Sequence, residues 1–390
     1  MKDVLTNPAY QELPTPSNIS AYPTIIDIVE AIAETEEEKI SSFSPLRRTI
    51  LNRSIRPGTY FVMIKETESN ESVLVPMGKW HGTYFRGQSV YYDSCRPSLY
   101  REDTEEKRLL SNLQFQEFKL LLESHPVIND LMFNTLRHRE IKAPIKLSIN
   151  YEGLAQHYGI STNLLDFTND KWTSAFFATT SYDAVNDIYS PIDESQQLYG
   201  VFYIYTDDSE LNSYKMEPIG LNFFNRPGAQ NGFALKMSHN ADLNSMRNVK
   251  KIFFRHDKNA SQTIFSMNQQ GKKLFPDDSL IGKTKSIISN RVFSLTALIR
   301  CKSIYYSVLS DGEFQQLLKK YQIESSTSPV VLFFNDPIIM DELKYWQREG
   351  RRKYIESLYV LPVYRHEGMT WIPVDLSLIH ISEPTRLRCI

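Results

Sequence analysis

The chain has 390 residues, a formal net charge of −2, 41% hydrophobic residues and 23% charged residues. With basic residues gathered only in short clusters such as Arg351, Arg352 and Lys353, this balance argues against a nucleic-acid partner. No apolar run approaches the length of a membrane span, and Cys95, Cys301 and Cys389 form neither a metal-ligand spacing nor a disulfide framework, a pattern that fits a reducing cytoplasm.

A chain of this length can bury a sizeable core unaided, as two or three domains or as one large domain with extensions. Residues 1–22 are polar, carry Pro8, Pro14 and Pro16, and lack the apolar centre of a signal peptide. They are expected to form a disordered or loosely held arm. Thr24 is placed to cap a helix through Ile25, Ile28, Val29 and Ile32. The acidic run at 34 and 36–38 suits a helix start better than an end, so the helix is expected to stop or fray there. Strands follow at 59–65 and 72–75, joined by a polar loop, and a further short strand at 82–87. An amphipathic helix is expected at 113–123, a helix at 151–158 ended by Gly159, and another at 170–179. Strands are expected at 199–206 and 249–255, then a helix at 260–270.

Residues after about 284 read as a second region, with helices at 312–321 and 340–350 and strands at 330–334 and 358–364. Strands and helices mix without a regular βαβ rhythm, which implies an α+β fold with a mainly antiparallel sheet. The last stretch stands apart. Leu376 to Arg386 reads like the translation of a transposase-type sequencing adapter, so 376–390 is set aside from the fold.

Four blocks carry a resemblance. They are Phe85-Arg86-Gly87-Gln88 with Pro97-Ser98-Leu99-Tyr100-Arg101; the long run from Tyr151 to Thr168 continuing into Ala175-Phe176-Phe177-Ala178; Arg226-Pro227-Gly228-Ala229-Gln230-Asn231-Gly232-Phe233; and Leu274-Phe275-Pro276-Asp277. Together they resemble the FRG family, named for its Phe-Arg-Gly motif. The chain departs from the family pattern at Ser161-Thr162-Asn163, where Pro-Thr-Arg is usual, and at Asp166-Phe167-Thr168, where Asp-Trp-Thr is usual. The resemblance implies one FRG domain over 23–283, with its motif core at 80–283 and an α+β extension at 284–375. It also implies a setting among bacterial and phage accessory genes associated with conflict. It brings no settled activity, so function must be read from the residues.

Arg86 ends an aromatic strand and precedes a glycine. It can grip a phosphate or carboxylate through two parallel hydrogen bonds, or it can sit in a buried ion pair with Asp166. Glu152 and Gln156 lie four apart on one helix face, with His157 beside them as a general base or as a hydrogen-bonded core residue. Thr162, Asp166 and Thr168 surround Leu164 and Leu165, which suit either a strand with the two leucines on opposite faces or a turn entering a helix; Thr168 or Asn169 is placed to cap the helix that follows. Gln230 can both donate and accept, while Asn231-Gly232 is a turn dipeptide able to supply positive φ. Gln88, Arg101 and Arg226 join the ligand-binding set.

Two functional readings follow. In one, the protein is a nucleotide-dependent transferase similar to ADP-ribosyltransferases. Arg86 would hold the pyrophosphate of NAD, Asp166 or Thr168 would order the site, and Glu152, His157 and Gln230 would be the catalytic candidates. In the other, the same residues form a non-catalytic module that binds an anionic ligand or a protein partner. A third reading, a Mg²⁺ nuclease using Asp166, Asp277 and Asp278, lacks the usual acidic-lysine arrangement.

Overall fold

A computed structural model of the chain describes residues 3–42, 61–65, 72–76, 83–133, 147–183, 186–206, 216–220, 223–328, 337–357, 359–360, 364–367 and 370–373. The expected strand at 330–334 and the adapter-like tail lie outside the described residues. The helices are α1 (Asp3–Thr6), α2 (Ile25–Ser42), α3 (Ser98–Arg101), α4 (Glu105–Ser124), α5 (Pro126–Phe133), α6 (Tyr151–His157), α7 (Lys171–Thr179), α8 (Asn225–Ala229), α9 (Lys258–Met267), α10 (Leu280–Ile288), α11 (Leu295–Tyr305), α12 (Asp311–Lys320), α13 (Pro337–Tyr345) and α14 (Arg351–Ser357). The strands that matter here are β1 (Phe61–Lys65), β2 (Ser72–Pro76), β3 (Thr83–Gln88), β4 (Leu164–Thr168), β5 (Thr180–Asp183), β6 (Ile188–Pro191), β7 (Tyr199–Thr206), β8 (Met216–Pro218), β9 (Gly232–Lys236) and β10 (Val249–Arg255). The fold is α+β, as the mixed pattern implied.

The centre is a 6-stranded antiparallel sheet in the order β10-β7-β3-β4-β9-β8. Both of its faces are covered, which is why its strands read as apolar runs rather than strict alternations. One face carries two helical layers. Phe85, Phe202, Ile252 and Phe254 pack under α2, α7 and α9, while Leu164 and Ala234 pack under α4, α5, α6 and α10. The opposite face buries Tyr84, Leu165, Phe167, Tyr203, Phe233 and Phe253. Leu164 and Leu165 thus point to opposite faces, and both are buried. The separate pair β1 and β2 runs antiparallel.

Three expectations need correction. The arm at 1–22 holds α1 and two 3-10 turns from Asp3 onward, and buried Tyr22 donates its hydroxyl to the carbonyls of Ala9 and Glu12 at 3.0 Å. Its aromatic residues pack on the sheet, which outweighs the polar composition. Helix α2 does not stop at the acidic run, because Glu36 turns inward and pairs with Lys171 of α7. Its start follows the expected cap, with Thr24 bonded to Asp27 through backbone and hydroxyl at 2.7 Å. The boundary at 284 falls inside α10, whose Leu280 and Ile287 share a core with Phe118 of α4. Phe293, Leu298 and Phe314 likewise pack on Leu109 and Leu113. The region after 284 therefore builds on the same long helix as the motif region.

Candidate anion-binding cleft at a split sheet

The Phe-Arg-Gly strand does a different job at each residue. Phe85 is 1% exposed and faces α7. Gly87, two residues on and so on the same face, lies so close to α7 that a Cβ there would meet the Ser174 carbonyl oxygen at 2.0 Å and the Ala178 Cβ at 2.7 Å. Arg86 points the other way. Strand β3 pairs with β7 from Thr83 to Gln88, and β4 pairs with β9 over its full length, yet β3 and β4 meet only at Phe85↔Thr168. Beyond that pair the sheet opens. Arg86 spans the opening and donates from Nη1 to the Asp166 backbone carbonyl at 2.8 Å.

The far side of the opening is built by β4 and α6. Asn150 caps α6 by accepting from the Gly153 amide at 2.8 Å, and Gly159 ends it with φ 94°. Gln156 then donates to Asp166 Oδ1 at 2.7 Å and accepts from the Thr162 hydroxyl. Thr168 donates to the Gln230 carbonyl at 2.7 Å and accepts from the Asp170 amide at 3.0 Å. Asp170 itself caps α7, accepting from Thr173 N at 3.0 Å, so the expected caps Thr168 and Asn169 give way to it. The Gln230 side chain donates to the Leu274 carbonyl at 3.0 Å.

Two cavities meet in this opening. One, of about 590 Å³, is lined by Arg86, Gly87 and Gln88 of β3, Arg101, Asp166 and Thr168, Ser174 and Phe177 of α7, and the hairpin β5–β6. The other, of about 660 Å³, is lined by Gln156, Tyr158, Arg226, the 270–272 loop, Phe275, Asp277 and Lys285. His157, Asp166, Phe177, Tyr182, Tyr189 and Gln230 line both. Each is of a size suited to a small molecule; aromatic residues wall both, and the second also carries many polar and charged side chains.

The first cavity sets Arg86 and Arg101 against Asp166, while in the second Arg226, Lys272 and Lys285 face Asp166, Asp187 and Asp277. Among the described residues Arg86, Arg101 and Arg226 have no carboxylate partner, while Asp166 is held by the Gln156 amide. The Arg101 pKa is pushed down first by desolvation and then by the charge of Arg86 nearby. Buried polar atoms also converge here without partners: Arg86 Nε, Gln88 Oε1, His157 Nε2, Ser174 Oγ and Arg226 Nε. Native structures pair most buried polar atoms, so these five add polar capacity to the cleft wall. Burial pushes the His157 pKa down, and the charge of Arg226 adds to that against the opposing effect of Asp166; the ring is neutral at pH 7. Gly232 makes room for it, because a Cβ there would lie 2.9 Å from His157 Nε2. Positive φ in that turn belongs to Asn231, at 48°, rather than to Gly232.

Of the residues singled out from sequence, Arg86, Gln88, Arg101, Gln156, His157, Asp166, Thr168, Arg226 and Gln230 border the opening. Thr162 stands behind it through Gln156. Glu152 does not reach it. Its carboxylate pairs with Lys236 Nζ at 2.9 Å, at the end of β9. The ion pair expected between Arg86 and Asp166 is a bond to the backbone carbonyl instead, because the split brings that carbonyl, unpaired, against the guanidinium. Sequence reasoning missed Ser174, Phe177, Tyr182 and Tyr189. Ser174 and Phe177 sit in a helix whose apolar pattern reads as core, and the tyrosines lie in a hairpin that carries no motif. Among the described residues no group of three or more His, Cys, Asp or Glu is arranged to hold a metal ion, and no helix is long and apolar enough to cross a membrane.

The chain is an α+β protein with an arginine-bearing cleft where a central antiparallel sheet divides. Residues 81–187, which supply β3, α6, β4, α7 and much of the cleft wall, match the FRG domain, and the chain is an FRG domain-containing protein. No curated protein and no solved structure matches it.

Proposed function

We propose that the cleft binds a nucleotide, holding its phosphates between Arg86 and Arg101 and its ring against the aromatic wall of Phe177, Tyr182 and Tyr189. The observation that carries this reading is that Arg86 and Arg101 line the opening with no carboxylate partner among the described residues, beside buried polar atoms left without a partner. Arginine in a partly desolvated cleft offers fork-shaped donors matched to phosphate. Unpaired, such a charge costs free energy that an anion recovers. NAD is the cofactor most in keeping with the transferase expectation.

A transferase of the ADP-ribosyltransferase type would need a carboxylate or base beside the ribose. Asp166 and neutral His157 are the groups that border the cleft in that role, while Glu152 is engaged with Lys236. Ligand binding without turnover uses the same residues and asks less of them, so binding is the conclusion and transfer the second reading.

The test is a thermal-shift titration with ADP, ATP and NAD⁺ on the wild type and on Arg86→Ala. Ligand at 100 times its dissociation constant stabilises by about 2.7 kcal/mol, which moves a melting curve measurably. A nucleotide-dependent shift lost in Arg86→Ala is expected. Equal behaviour of the two proteins, or no shift in a folded wild type, would overturn the proposal. Release of nicotinamide from NAD⁺, abolished in Asp166→Asn, would raise the second reading above the first.

A further inference from the structure

We infer that the ligand is a dinucleotide, with one nucleoside unit in each cavity. This rests on reading the cleft as a nucleotide site, and it assigns the second cavity, which the motif residues of β3 do not explain.

The second cavity has a cationic anchor of its own. The Arg226 guanidinium lies 5.4 Å from the ring centre of Tyr158 and 5.8 Å from that of Phe275. Two rings hold the flat group in place, and its Nε has no partner. Phe275 in turn stacks on Tyr189 at 4.8 Å and 19°, and Tyr189 borders both cavities. A planar group entering here meets an ordered aromatic surface beside an unpaired donor.

The rim of this cavity is strained. Gln269, Gln270 and Gly271 follow one another at φ 52°, 59° and 93°. Left-handed conformations at the two glutamines are costly for residues with a Cβ, and such strain persists only where surroundings enforce it, often at binding sites. The Gln230 amide, bonded to the Leu274 carbonyl at 3.0 Å, ties the chain just beyond this loop to the neck between the cavities.

Size decides between one unit and two. Cavities of about 590 and 660 Å³ each fall within the range that takes a whole small molecule. A mononucleotide anchored at Arg86 and Arg101 fills the first and leaves Arg226 unpaired. A dinucleotide that keeps its phosphates at Arg86 and Arg101 passes its second nucleoside through the neck at His157, Asp166 and Gln230 and so engages Arg226 as well.

The experiment is calorimetric titration of the full chain with ADP, NAD⁺ and diadenosine diphosphate, on wild type, Arg226→Ala and Arg226→Lys. Both dinucleotides are expected to bind on the order of tenfold tighter than ADP or better. Arg226→Ala should remove that advantage, weakening the dinucleotides on the order of tenfold more than ADP. Arg226→Lys keeps a charge without the flat stacking surface, guards against a folding defect, and should lose most of the advantage too. ADP binding as tightly as the dinucleotides, or Arg226 variants weakening all three ligands alike, overturns the inference while the nucleotide site stands. Absence of binding by every ligand sinks both.

Discussion

Replacing Gly87 with alanine tests how the motif shapes the cleft. An added Cβ would sit 2.0 Å from the Ser174 carbonyl oxygen, 2.7 Å from the Ala178 Cβ and 2.8 Å from the Ala178 amide nitrogen. A close carbon–oxygen contact is about 3.3 Å, so α7 and β3 must separate by roughly 1 Å. None of these atoms can rotate aside, because two are helix backbone and the alanine Cβ is fixed directly to it. Overpacking typically costs about 1–3 kcal/mol, and backbone obstruction puts this case at the upper end or beyond, about 3 kcal/mol. Since α7 also carries Ser174 and Phe177 into the cleft, ligand binding should weaken along with stability. Urea unfolding followed by fluorescence and circular dichroism gives the first number, and nucleotide titration the second. A Gly87→Ala protein within about 0.5 kcal/mol of wild type, the spread of ordinary surface changes, would refute the close approach of β3 and α7.

Gly282 supplies the matched control: it lies within α10 with nothing inside 4 Å of an added Cβ, so Gly282→Ala should be neutral or stabilise by up to about 1 kcal/mol in the same urea assay. Thr168→Val removes a buried hydroxyl that serves the Gln230 carbonyl and the Asp170 amide, and should cost about 1–3 kcal/mol by chemical denaturation. Glu36→Ala leaves Lys171 uncompensated between α2 and α7; a loss of about 3 kcal/mol in unfolding free energy is expected, and a change near zero would show that the pair contributes nothing. Burial holds the pKa values of His157 and His256 below 6.5. The unfolded chain therefore takes up protons on these rings as pH falls through about 6.5 while the folded chain does not, so their contribution to stability is full above that pH and declines below it. His239, raised by its hydrogen bond to Asp103, acts in the opposite sense. Urea midpoints from pH 7.5 to 5.5 should accordingly fall less steeply for His256→Gln than for wild type; parallel curves would remove His256 from the account.

Much of this arrangement was legible in the sequence because local chemistry and tertiary structure agree. Helices α6 and α7 start and stop within a residue or two of their expected limits, set by Asn150, Asp170 and Gly159. Strands β7 and β10 carry enough apolar and aromatic residues to be read directly. Arg86, Asp166 and Gln230 all lie in the motif blocks, but that they border one opening follows only from the packing. What stayed hidden depends on neighbours distant in the chain. Glu36 prolongs α2 because Lys171 waits in the next layer, and no local pattern contains that partner. Tyr22 turns a polar arm into a docked one by bonding back to Ala9 and Glu12. The split between β3 and β4 is likewise a property of register, since each strand is well paired on its other side. Glu152 looked suited to catalysis from its helix face, and only the position of Lys236 at the end of β9 explains why it turns away.

The most direct test of the central claim is calorimetric titration of ADP into the wild type and into Arg86→Ala and Arg101→Ala at matched ionic strength. The account predicts saturable binding by the wild type and a loss of about 1.5–3 kcal/mol, roughly tenfold to more than a hundredfold, for each charge-bearing hydrogen-bond donor removed. Binding of equal strength by all three folded proteins would contradict an anion site at the split between β3 and β4.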